Sequence, residues 1–89
     1  MEKTSQLTAM KPVKVEDWAV LKGVTVDVRL NGRVICSGVV DAVTADGSIL
    51  WVQPAGSERR LFEKRRSYEA WTDEQSAPFI YRISGKSKY

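Results

Sequence analysis

Apolar residues in the middle of the chain recur at every second position. Across residues 24–30, Val24, Val26, Val28 and Leu30 share one parity, while Thr25, Asp27 and Arg29 hold the other. That period belongs to a strand with one buried face. Asn31-Gly32 follows and predicts a two-residue hairpin turn, whose central residues need positive φ. The return strand, 33–43, is less regular. Val34, Cys36, Gly38 and Val40 fall on one parity, and Ile35, Val39 and Val43 on the other. A strict two-residue turn would set Val28 opposite Ile35 and Val26 opposite Ser37. Gly38 in mid-strand is expected at a bulge or sharp bend. A strongly bent strand could turn apolar residues of both parities inward, as closure of a small barrel requires.

Further turns divide the rest. Asp46-Gly47 precedes a third strand, 48–53, carrying Ile49, Leu50, Trp51 and Val52. The turn Pro54-Ala55-Gly56-Ser57 precedes a fourth, 58–62, with Leu61 and Phe62 assigned to the interior. Residues 63–67 read as a polar crossover, and 68–72 as a brief fifth strand with Tyr68, Ala70 and Trp71 available for packing. Upstream, Val15, Trp18 and Leu21 stand at helical spacing before Gly23. They predict a short N-terminal helix over 15–22, capping one end of the core. The expected organisation is a flexible arm at 1–14, a five-stranded barrel at 15–72, and a C-terminal segment at 73–89. Within that segment, 79–83 has the composition of an extra strand and 84–89 that of a basic tail.

Composition narrows the functional classes. Eighty-nine residues hold one domain with a modest core. Histidine is absent and Cys36 is the single cysteine, so no Cys–His nucleophile and no cysteine-based zinc site can be assembled within one chain. Asp27, Asp41 and Asp46 show no spacing that pairs two carboxylates for acid–base work; Asp46 suits a turn, and Asp41 suits a cap at a strand end. A P-loop is missing as well. We therefore expect a binding module without catalytic residues, cofactor or metal. Cys36 reads as a small buried hydrophobe. No run approaches the roughly 20 apolar residues of a membrane span, and the first residues lack a signal-like apolar block. A cytoplasmic setting without membrane contact is expected, in a bacterial or phage-infected cell.

The stretch 28–52 resembles Sm-like and other SH3-like barrels. Leu30, Asn31-Gly32, Gly38 and Asp41 match their strand, hairpin, bent-strand glycine and terminal aspartate. The resemblance implies a mainly β, five-stranded SH3-like fold. The second Sm signature has no counterpart, since Arg59-Arg60-Leu61-Phe62 departs from it; a uridine pocket and ring assembly are not carried over. Residues 18–71 also resemble short proteins of actinobacteria and their phages. The shared features are the Gly38-Val39-Val40-Asp41-Ala42-Val43 run, Asp46-Gly47-Ser48-Ile49-Leu50-Trp51, Arg59-Arg60-Leu61-Phe62-Glu63-Lys64, and Tyr68-Glu69 before Trp71. That likeness implies a phage or mobile-element origin and no particular activity.

Two contact surfaces suggest themselves. Arg59, Arg60, Lys64, Arg65 and Arg66 put five cations in a short segment of a chain whose net charge is only +3. Such a cluster could meet nucleic-acid phosphates, with neighbouring aromatics stacking on bases. It could equally be a solvated turn, its arginines paired with Glu58, Glu63 and Glu69. The second surface is aromatic: Trp51, Tyr68 and Trp71, joined by Phe79 and Tyr81 of the C-terminal segment, could form a groove or a pairing edge for a protein partner, although the segment 79–89 could equally cover the domain's own open edge. The tryptophans, Trp18 included, could instead fill the core. Because acids are interspersed among the cations, a protein partner is preferred, with nucleic acid as the alternative and self-association also open.

Overall fold

The computed structural model describes residues 11–73. Phe79, Tyr81 and the proposed strand and tail lie outside these residues, as does most of the expected arm. The described chain forms six strands: β1 (Pro12–Val15), β2 (Thr25–Leu30), β3 (Arg33–Val43), β4 (Ile49–Gln53), β5 (Arg60–Glu63) and β6 (Glu69–Asp73). All neighbours are antiparallel, in the order β1-β6-β2-β3-β4-β5. Among the described residues no ladder joins β5 to β1, so the sheet stays open rather than closing into a barrel.

Two expectations near the N-terminus are corrected. The helix over 15–22 does not form. Val15 ends β1, and Trp18–Val20 make one 3-10 turn capped by Asp17, whose carboxylate accepts from Ala19 N at 3.2 Å. Residues 12–14, read as part of the arm, are strand. Val15, Trp18 and Leu21 are nonetheless all buried. A strand end followed by a tight turn delivers them to the core as a helix would have.

The core joins these three to Val24, Val26, Val28, Cys36, Val40, Leu50, Val52, Phe62 and Ala70. Two irregularities in β3 explain its mixed parity. Val28 pairs with Cys36 and Arg29 with Val34, leaving Ile35 as the extra residue; the strict register that set Val28 opposite Ile35 is corrected by this bulge. A second shift falls between Val40 and Ala42, with Asp41 bulged. Each bulge reverses the inward parity once. Cys36 and Val40 therefore point inward before Asp41, and Val43 packs on the core after it.

Gly38 is not itself a bulge. It lies where the backbone of Gln53 and Pro54, at the end of β4, approaches β3 most closely. A Cβ there would overlap the Gln53 carbonyl oxygen and come within 2.8 Å of Gln53 C and 2.9 Å of Pro54 Cα. The Asn31-Gly32 turn has the expected positive φ at both residues, 55° and 80°.

Candidate functional site: the β4–β5 edge

Among the described residues β5 is an edge strand, and its side chains divide by parity. Arg60 and Phe62 lie on the face toward the core, where Phe62 is buried. Leu61 and Glu63 lie on the outer face. Leu61, assigned to the interior from its sequence, is instead 48% exposed. It sits directly opposite Trp51, which in turn faces Ala42 on β3. These three residues form an apolar row across three strands. Ile49, opposite Glu63, extends it along β4. Arg59 lies over the Trp51 ring, its guanidinium 5.4 Å from the ring centre, and its Nε is 3.0 Å from the Asp41 carboxylate.

The phase of the hydrogen bonds follows from one contact beyond the strand. Lys64 N donates to Ser48 O at 2.8 Å. In an antiparallel ladder, bonded and non-bonded pairs alternate. Phe62–Leu50 and Arg60–Val52 are therefore the bonded pairs. Leu61 and Glu63 turn their N–H and C=O groups away from β4, toward the open edge. Main-chain donors and acceptors thus emerge beside an exposed leucine and a half-exposed tryptophan.

The five cations do not form one patch. Arg59 belongs to the Trp51 row. Arg60 donates to Ile35 O at 3.2 Å and lies over the Phe62 ring. Lys64 donates to Glu16 O and approaches the Trp18 ring. Arg65 and Arg66 sit on a second 3-10 turn (Lys64–Arg66) and share the Glu63 carboxylate at 3.0 and 3.3 Å. Those bonds hold Glu63 below the usual carboxylate range. Arg59, Arg65 and Arg66 are thus each paired with a carboxylate, and Arg60 and Lys64 with main-chain carbonyls.

Nor do the aromatics line one groove. Trp18 is buried. Trp71, on β6, is separated from β4 by two strands, β2 and β3. Its ring is covered by the Arg29 guanidinium at 4.3 Å, and its Nε1 donates to Glu69 at 3.0 Å. Lys14 closes that cluster at 3.4 Å from Glu69. The Arg29 Nε beneath is a buried polar atom without a hydrogen-bond partner. Tyr68 packs edge-on against Phe62 at 5.0 Å. The signal missed in the sequence was the parity of 60–63: adjacent Leu61 and Phe62 cannot both face inward in a regular strand.

Among the described residues no group of three His, Cys, Asp or Glu could hold a metal ion. No helix there is long and apolar enough to cross a membrane. No family model, curated protein or solved structure matches the chain.

Proposed function

We propose that the chain is a non-enzymatic protein-binding module, taking an extended segment of another chain at the β5 edge. The observation that carries this reading is Leu61: its main-chain groups face outward, and its exposed side chain continues the Trp51 row. Strand addition draws affinity from the main chain and specificity from alternate side chains. Both are offered by the same residue, the main-chain groups at the edge and the side chain on the outer face. The meander β2-β3-β4-β5, with β6 returned beside β2, supports reading the domain as an open-sheet relative of the SH3-like fold, unclosed and with β1 added outside. A phage or mobile-element origin rests on the sequence resemblance and would make a host or assembly protein the partner. Dispersal of the five cations weighs against a nucleic-acid function.

The test is capture from the source cell with tagged wild-type and Leu61→Lys chains, alongside retention on single-stranded DNA and RNA at low salt. The reading expects a protein partner that Leu61→Lys abolishes, and no oligonucleotide retention. Retention falling steeply with salt, and lost on replacing Arg65 and Arg66, would transfer the function to nucleic acid.

A further inference from the structure

The charges along β5 are arranged so that this strand is complementary to itself. Resting on the edge reading above, we propose that a second copy of this chain occupies the β5 edge, antiparallel and two-fold symmetric about Leu61. In that register Leu61 meets Leu61. With the strand continued back by one residue, Arg59 of one copy falls opposite Glu63 of the other, a pair occurring twice by symmetry. Every directly opposed charge is of opposite sign, the arrangement that stabilises cross-strand pairs.

The hydrogen-bond phase is compatible with the same register, and the charges select it over the one that sets Leu61 opposite Glu63, where Arg60 would meet Lys64. The outward groups belong to Leu61 and Glu63. Two copies paired Leu61 to Leu61 exchange both main-chain bonds across the axis. Their outer faces stay on one side, so the two Ala42–Trp51–Leu61 rows merge into one apolar strip. Arg59 and Glu63 now bond Asp41 and the pair Arg65 and Arg66. These are surface ion pairs, which exchange partners at little cost.

The opposite edge is built differently. β1 carries Pro12, which has no N–H to offer, and Lys14. Proline and lysine are the usual means of keeping an edge from pairing. β5 has neither, and its charges attract a copy instead of repelling it.

The experiment is sedimentation equilibrium of the full chain over a concentration series. The expected result is a reversible dimer of two 10.0 kDa chains. Arg59→Glu alone and Glu63→Arg alone should each weaken it about tenfold or more, because both symmetry-related pairs turn repulsive together. Mixing the two variants should restore association, since each then offers what the other lacks. The double variant should likewise pair with itself. A chain that stays at 10.0 kDa up to about 1 mM overturns the proposal. So does a dimer indifferent to both reversals. Leu61→Lys separates this failure from that of the edge reading. A monomeric chain whose captured partner is lost with Leu61→Lys keeps the edge and loses the self-pairing. Capture unchanged by Leu61→Lys removes the edge itself.

Discussion

Replacing Gly38 with alanine should cost the domain about 2 kcal/mol, the net of two opposed effects. The added methyl would overlap the Gln53 carbonyl oxygen and crowd Gln53 C and Pro54 Cα at 2.8 and 2.9 Å. All three are backbone atoms, so no rotamer change relieves the overlap; the end of β4 must move. Forcing a methyl into a close-packed site costs about 1–3 kcal/mol, and contacts this short belong at the upper end. Alanine also restricts the unfolded chain, which returns about 0.4–1 kcal/mol. In a domain of this size each kcal/mol lowers Tm by about 4–8 °C, so a fall of about 8–16 °C is expected. Urea melts followed by tryptophan fluorescence should show a lower midpoint with an unchanged slope. Gly32→Ala is the control. Nothing lies within 4 Å of its Cβ, and its φ is +80°. Its cost, about 1–2 kcal/mol, comes from left-handed backbone strain alone. A Gly38→Ala chain as stable as the wild type would refute the close approach of Gln53 and Pro54 to β3.

Other outcomes follow from the buried and charged groups. Asp27, only 2% exposed, accepts from Ser37 Oγ at 2.7 Å; Ser37→Ala should destabilise by about 1.5–3 kcal/mol in the same melts, and a neutral effect would show that the carboxylate finds another donor. Bonds from the Ser48 hydroxyl and N–H and from Thr44 depress the Asp46 carboxyl, and Arg65 and Arg66 depress Glu63. Trp71 depresses Glu69, with Lys14 assisting. The unfolded chain therefore takes up protons first, so the stability these groups contribute is present above about pH 4 and lost as pH falls through their lower folded values. Tm measured from pH 6 to pH 3 should fall, and Asp46→Asn should flatten the slope. Burial pushes the Cys36 thiol up, against the pull of Arg60; it should resist a disulfide reagent at pH 8 in the native protein and react at once in urea. Prompt native reaction would contradict its place in the core.

The extent to which the sequence disclosed this fold follows from the range of the forces involved. Strands β2 to β6 were legible because alternation and turn residues are local signals. Val26 and Val28 inward, Asn31-Gly32 at the hairpin, and Asp46-Gly47 at the next turn needed only their neighbours. β1 was not legible. It pairs with β6, Val15 opposite Ala70, and nothing within residues 12–15 announces a partner so far along the chain. The same three apolar residues then fit a helix as well as a strand end and a turn. The two bulges of β3 were foreshadowed by its mixed parity, yet their positions at Ile35 and Asp41 depend on the neighbouring strands. The outer face of the β4–β5 edge was half legible. Trp51 and Arg59 were singled out, but Leu61 was assigned to the interior, and the five cations were counted together because sequence distance hides which face each one takes.

The placement of β6 between β1 and β2 has a kinetic consequence. Its five residues, Glu69–Asp73, pair with β1 on one side and with β2 on the other. Neither early strand can complete its bonds on that side until this late segment arrives. A nascent or nicked chain ending before Glu69 would hold a finished meander from β2 to β5 while leaving raw backbone along β2. Such fragments are the ones to watch for in expression and storage, because pairing between distant segments is slow and unmatched strands aggregate while they wait.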